Sequence, residues 1–468
     1  MSDRPNAPHR NVIVFFTDQQ RWDTTGIHGN PAGLTPNFDR FAARGTHLAH
    51  TFTCQPVCGP ARSCLQTGLY ATETGVFRNA ITLDPALPTL PDHFHGAGYD
   101  TAYIGKWHLA PRGCIGPVAA EHRGRYDYWL ASNVLEYTSD AYRTTLYDGD
   151  ERPVELPGYR VDALADAAIR YLDGRDGGPR DRPFLLFLSF IEPHHQNHRD
   201  DYPAPAGYEE RYTGAWVPPD LAALGGSTQQ HLPGYYGMVK RLDEAFGRVL
   251  DALGSLGLAD DTVVLFTSDH GNHFKTRNSE YKRACHESSI RVPTAIGGPG
   301  FDGGGRVEEL VSLIDLPPTL LDAAGIEVPA AMQGRSVLPL AGAGPVDPAW
   351  PDQVFVQISE SQVGRALRTK RWKYSVSAPE LDGGQVPAAD RYVEEFLYDL
   401  RADRYELCNL AGNPRHAEVA SLLRQRLLGC IRDVEGKEPV IEPAATERRL
   451  SGQINPEPAD LQDLRPPG

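Results

Sequence analysis

Val12-Ile13-Val14-Phe15-Phe16-Thr17-Asp18-Gln19-Gln20 is the stretch that sets the architecture. Five apolar residues in a row have no polar face, so the segment reads as a strand buried on both sides, as in a mostly parallel sheet. It ends in residues that can do chemistry. Three other runs share this grammar. Thr101 to Ile104 ends at Gly105-Lys106-Trp107-His108, Phe184 to Leu188 leads to Glu192-Pro193-His194-His195, and Val263 to Phe266 ends at Thr267-Ser268-Asp269-His270. Helical periodicity lies between them, over 36–44, 161–171 and 235–256, the last with Met238, Leu242, Phe246, Val249 and Leu253 on one stripe. Alternating strands and helices predict an α/β domain, and in such sheets ligands gather at the carboxyl ends of strands. Four strand ends carrying Asp, Gln, Lys and His therefore predict one shared site.

The 468 residues leave room beyond that domain. A Gly/Pro/Ala-rich run at 340–348 reads as a linker. Beyond it, 354–358, 364–377 and 396–399 read as antiparallel strands, and 416–434 as an amphipathic helix with Val419, Leu422, Leu423, Leu427 and Ile431. The chain thus divides into a large α/β part, 1–345, and a smaller C-terminal α+β part, 346–468, with a Pro- and acid-rich tail from Glu438.

Composition narrows the function. A net charge of −15 argues against bulk nucleic-acid binding, which needs a basic footprint. No run of about 18 apolar residues predicts a membrane helix. The start, Met1-Ser2-Asp3-Arg4-Pro5-Asn6, lacks an apolar signal core, so a cytoplasmic protein is expected. Seven scattered cysteines do not form a disulfide framework, and Cys54, Cys58 and Cys64 lack partners at zinc-site spacing. Gly297 to Gly305 lacks the Gly-Lys-Ser/Thr ending of a nucleotide loop.

Cys58-Gly59-Pro60-Ala61-Arg62-Ser63-Cys64-Leu65-Gln66-Thr67-Gly68 is the most specific motif. Proline suits the first turn of a helix and glycine its end, so Cys58 is expected just outside a helix N-terminus that favours anions. Arg62 falls one turn on, on the same face. Asp18-Gln19 and Asp269-His270 form an oxygen-rich set with one imidazole, suited to Ca²⁺ or Mg²⁺ and also to Mn²⁺. The Cys-x3-Arg spacing rules out a cysteine-phosphatase loop, which needs Cys-x5-Arg.

Cys-x-Pro-x-Arg followed by Leu-x-Thr-Gly resembles the modification motif of the type I sulfatase family, formylglycine-dependent enzymes of the alkaline-phosphatase-like superfamily. The resemblance extends in order through Asn11 to Asp23, Thr35 to Arg40, Gly105 to Leu109, Thr267 to Gly271, Lys282 to Pro293, Leu397 to Leu400 and Glu406 to Leu410. It implies an alkaline-phosphatase-like fold and a sulfuric ester hydrolase. It further implies that a formylglycine-generating enzyme converts Cys58 to an aldehyde, whose hydrate is the nucleophile. One divalent metal, Ca²⁺ first with Mg²⁺ or Mn²⁺ as alternatives, would be held by Asp18, Gln19, Asp269, His270 and the modified Cys58, and would acidify the attacking hydroxyl. Asp269 is a candidate acceptor for its proton. His194 or Lys282 would protonate the leaving oxygen, and His108 would deprotonate the second hydroxyl to expel sulfate. Arg62 and Lys106 would stabilise the developing charge. A second hydroxyl allows release by elimination, which a plain thiol cannot do.

The sequence departs from the family pattern at Gln19, Ala61 and His286, where aspartate, serine and tyrosine are commoner. Gln19 with His270 also occurs in relatives that cleave phosphonate monoesters or phosphodiesters, an alternative that Lys106 and His108 oppose. A silent binding homologue with an unmodified Cys58 is the third reading. The substrate class implied is a small-molecule or carbohydrate sulfate ester. Tyr126, Tyr128, Trp129, His195 and His198 are candidate contacts to its alcohol, Asn79 is a weaker site candidate, and self-association as a homo-oligomer is left open.

Overall fold

The computed structural model describes residues 10–179, 181–342, 346–445 and 464. Residues 1–9, most of the expected tail, and the expected division at 345/346 within 343–345 lie outside them. Strand β1, Asn11–Thr17, shows why the opening stretch is apolar throughout. Successive side chains point to opposite faces. Val12, Val14 and Phe16 enter one hydrophobic core, and Ile13 and Phe15 enter another. The first core includes Cys64 and Leu65 of the helix Cys58–Thr67 and Leu320 and Leu321 of the helix Leu316–Ala323. The second is closed by Phe38 of Pro36–Arg44, Leu164 of Arg160–Leu172, and Leu242, Phe246 and Val249 of Thr228–Ser255. Helices cover both faces, as a parallel sheet requires. Phe15 stacks on Phe266 with ring centroids 5.2 Å apart.

Among the described residues, eleven strands make this sheet. After β1 come β2 (Thr46–Phe52), β3 (Asp100–Lys106), β4 (Tyr128–Ser132), β5 (Thr144–Tyr147), β6 (Pro153–Leu156), β7 (Phe184–Ser189), β8 (Thr262–Ser268), β9 (Arg291–Val292), β10 (Ala295–Gly297) and β11 (Gly305–Ser312). The central order is β8-β1-β7-β3-β4, all pairs parallel. The four strands singled out in the sequence are therefore consecutive neighbours, with their carboxyl ends on one edge. Strands β10, β5 and β6 run antiparallel to their neighbours.

The second sheet is β12 (Gln353–Ile358), β13 (Gly364–Thr369), β14 (Trp372–Ser377), β15 (Arg391–Asp399) and β16 (Val440–Glu442). Its first four strands are antiparallel, and β16 pairs parallel with β15. The helix Ala417–Glu435 packs Val419, Leu423, Leu427 and Ile431 into the same core as Phe355, Leu367 and the first face of β1. No helix of the described residues is long and apolar enough to cross a membrane.

Candidate active site

Cys58 is the first residue of its helix, not the residue before it; Val57 takes the N-cap place and Pro60 falls third. The remainder of the motif follows expectation. Gly68 ends the helix in the left-handed conformation (φ 72°), and all ten helical residues are buried. Gly59 has a spatial reason: a Cβ there would come within 3.1 Å of Asn79 Oδ1.

The edge formed by β8, β1, β7 and β3 delivers its polar residues to Cys58. Its Sγ lies 3.6 Å from Asp18 Oδ1, 3.3 Å from His270 Nε2 and 2.9 Å from Lys282 Nζ. His108 and His194 stand beside the thiol and act on its electrostatics. Lys282 Nζ donates in addition to Gln19 Oε1 at 3.3 Å and to His194 Nε2 at 3.1 Å. The ring nitrogens can be assigned from their partners. His270 Nδ1 faces the carbonyl of Gly271 at 2.9 Å and His194 Nδ1 that of His195 at 2.6 Å. A carbonyl only accepts, so both Nδ1 atoms carry the proton and both Nε2 lone pairs face the centre.

Below the sulfur lies a buried charge network. Arg62 Nη2 donates to Asp18 Oδ2 at 3.0 Å, and Lys106 Nζ reaches the same oxygen at 2.8 Å and Glu136 Oε1 at 3.0 Å. The other end of Arg62 donates to Ser189 Oγ and the Lys106 carbonyl. Burial and Cys58 work against ionisation of Asp18, but Lys106, His194 and Arg62 hold it well below the usual carboxylate range. Burial also opposes the Cys58 thiolate, and Lys282, Lys106 and His270 overcome it, holding the thiol well below its ordinary value. Asp269 goes the other way: burial and the nearby charge of Asp18 push it up to about 7.

Asp269 Oδ2 is the exposed nerve of this arrangement. It is buried and accepts no hydrogen bond, and Arg62 Nη2 stands off at 3.6 Å. Its other oxygen accepts the backbone N–H groups of Gln19 and His270. One ligand atom each from Asp18, Cys58, Asp269 and His270 lies within 4.8 Å of the rest. Two carboxylates, an imidazole lone pair and the Gln19 carbonyl suit a divalent cation, and a cation would satisfy the unpartnered oxygen. These residues could hold a metal.

The family profile for sulfatases matches residues 10–326, and the profile described as N-sulphoglucosamine sulphohydrolase, C-terminal, matches residues 279–433.

The chain belongs to the sulfatase family.

It is a sulfuric ester hydrolase. An ulvan-active sulfatase from Formosa agariphila is 30% identical over 439 residues, covering 91% of this sulfatase and 81% of that protein. An N-acetylglucosamine-6-O-sulfatase from Bacteroides thetaiotaomicron is 26% identical, covering 92% and 87%. A solved structure of a protein in complex with its substrate, D-glucosamine-2-N,6-O-disulfate, superposes with a TM-score of 0.74 at 24% identity, covering 92% and 99%.

Asp18, Gln19, Arg62, Lys106, His194, Asp269, His270 and Lys282 are brought together with Cys58 at this edge of the sheet. Expectations for the alcohol pocket fare differently. Tyr126 and Trp129 are buried among Tyr103 and Trp107 and are core, while Tyr128 is partly buried and packs on Tyr171. His195 stacks on His194 and packs tilted against Tyr281, while His198 is half exposed and pairs with Asp140. His286 is also core, packed on Phe396 and bonded to the Tyr398 hydroxyl. Glu136, Ser189 and Tyr202 went unread. Tyr202 takes the Gln19 amide at 3.2 Å and Asn272 Nδ2 at 2.9 Å, turning the Gln19 carbonyl oxygen toward Lys282. A lone tyrosine in an unpatterned loop carries no signal of this.

Proposed function

We propose that this sulfatase hydrolyses a carbohydrate sulfate ester, using the hydrated formylglycine derived from Cys58 as nucleophile. The observation that carries the reading is the convergence on Cys58 Sγ of Asp18, His270, Lys282, His108 and His194. The sugar ester as substrate class is supported by the N-acetylglucosamine-6-O-sulfatase among its relatives.

The residues divide the work by position. Asp18, Gln19, Asp269 and His270 would hold one divalent cation, Ca²⁺ by preference, which when bound acidifies a hydroxyl and offsets sulfate charge. Arg62 and Lys106 keep Asp18 ionised and oriented. Lys282, beside both Gln19 and Cys58, is aimed at the oxygens of a sulfate on residue 58. His194 and Lys282 share a hydrogen bond, so a proton held between them can pass to the leaving alcohol as the S–O bond breaks. His108 would take the proton of the second hydroxyl, and the C–O bond to sulfate then cleaves to restore the aldehyde. Its Nδ1 is without a partner. The same reading divides the chain at 345/346, with the reacting groups before that point and support after it.

The test is twofold. Peptide mass spectrometry of protein co-expressed with a formylglycine-generating enzyme should show residue 58 as an aldehyde. A screen should then find turnover of sulfated sugars well above that of aryl phosphonate monoesters and phosphodiesters. Only thiol at 58, or faster turnover of the phosphorus esters, overturns the proposal.

A further inference from the structure

Two arms reach Cys58 from different parts of the chain, and both are held by one carboxylate. The first arm is Asn79. Its Oδ1 accepts the Gly59 N–H at 2.9 Å, the second N–H of the nucleophile helix, which has no side-chain cap from Val57. Four N–H groups at a helix start lack intrahelical partners, so this bond fixes the start of the helix where Cys58 stands. The Asn79 backbone N–H in turn donates to Glu360 Oε1 at 2.6 Å. The second arm is Lys282, with Nζ on Cys58 Sγ. Its neighbour Arg283 places Nη2 on Glu360 Oε2 at 2.5 Å. A closed circuit results: Cys58, Gly59, Asn79, Glu360, Arg283, Lys282 and back to Cys58.

Glu360 lies between β12 and β13 of the C-terminal sheet, outside the sheet that carries the site. Several contacts fix its backbone. Its N–H donates to the Gly383 carbonyl at 2.9 Å, and the neighbouring Ser361 Oγ donates to the Arg283 carbonyl at 2.6 Å. Glu360 and Arg283 both adopt left-handed backbone conformations, with φ of 64° and 69°. Such conformations in non-glycine residues persist where the surroundings over-determine them. The side chains are mostly buried, at 15% and 18% exposure, so the pair is screened less than a surface ion pair. Arg283 also pairs with Glu280 at 3.1 Å, which leaves it a carboxylate partner when Glu360 is removed.

We propose that Glu360 is a positioning residue for the nucleophile, setting the distance between residue 58 and Lys282 from the C-terminal sheet. The inference rests on the proposed role of residue 58 and Lys282. It makes the C-terminal part a required component of the reacting geometry.

The experiment compares wild type with E360A, E360Q and R283M, each measured for kcat, KM, melting temperature and the fraction of residue 58 converted to aldehyde. Small displacements of reacting groups are expensive, so kcat per converted molecule should fall ~10- to 100-fold in E360A, with KM shifted by less than about threefold. E360Q keeps an acceptor for Asn79 and loses the ion pair, so it should match R283M and lie between E360A and wild type. Full kcat per converted molecule in E360A overturns the proposal, whatever happens to its melting temperature. Equal losses in E360A and E360Q also overturn it, because the Asn79 arm would then carry nothing. An inactive or unconverted wild type would instead refute the reading of residue 58, and the mass measurement separates that outcome.

Discussion

Two buried charge clusters in this sulfatase look alike in composition and differ in what their charges face. In the first, Arg62, Lys106 and Lys282 accompany Asp18, Glu136 and Asp269 around Cys58. In the second, beneath the C-terminal sheet, Lys373 Nζ bridges Glu287 and Glu406 at 2.7 Å each, with Arg368 and Arg291 also on Glu287. Burial opposes the Glu287 carboxylate, yet Arg368, Lys373 and Arg291 hold it well below the usual range. Here anions and cations face one another. Both Glu287 oxygens are engaged, and a Glu406 oxygen also takes the Glu287 N–H. In the first cluster the groups face a common point instead, and Asp269 Oδ2 has no donor. Counting buried charges does not separate a joint from a reaction centre. The shared focus on one sulfur does.

That contrast can be broken in four ways, the largest first. C58A should lower turnover by ~10⁴-fold or more while the protein still folds, because the nucleophile is removed. Substantial residual turnover would end the distinction. Next, K373M leaves two buried carboxylates without their shared cation and should cost ~3–5 kcal/mol of stability. Chemical denaturation would read this, and turnover per folded molecule should stay unchanged. Third, chelator should abolish turnover and lower the melting point, and Ca²⁺ should restore both; a cation at 100 times its dissociation constant contributes ~2.7 kcal/mol. K373M should respond to the cation by the same amount as wild type, since Lys373 pairs with Glu287 and Glu406 and with none of the proposed metal ligands. Smallest is Y202F. Losing the hydroxyl that takes the Gln19 amide should cost ~1 kcal/mol in transition-state binding, about fivefold in kcat/KM, and should weaken Ca²⁺ affinity by titration. An unchanged Ca²⁺ affinity would show that Gln19 needs no such support.

The two clusters were unequally legible in the sequence, for a physical reason. Asp18, Lys106, His194 and Asp269 follow strongly apolar strands, and a strand end fixes where a residue stands. Cys58 and Arg62 sit at helix spacing within one motif. Glu136 lies on a single-turn helix, Leu135–Thr138, and Tyr202 on a loop; the course of both depends on tertiary packing, so nothing local announces them. The second cluster joins Glu287, Lys373 and Glu406 across long sequence separations, and its register is set by sheet pairing. Strand β11 was missed for a related reason. Its residues Gly305 to Ser312 mix Arg306, Glu308 and Glu309 with Val307, Leu310 and Val311 at the sheet margin, without the continuous apolar run that marked the centre. The helix Thr228–Ser255 begins seven residues before the expected start and runs through Pro233, whose missing N–H removes one intrahelical bond and whose presence hides the first turns from a sequence reading.

The burial of the Cys58 helix has a consequence for the order of events in the life of the chain. Cys58 is 1% exposed, and the whole of its helix is enclosed. A maturation enzyme cannot dock on a residue so enclosed. On the proposed chemistry, conversion must therefore precede closure of the sheet over the motif, while Cys58 to Gly68 is still a pliant peptide. Folding then acts as a deadline, and a chain that folds too soon is locked as a thiol.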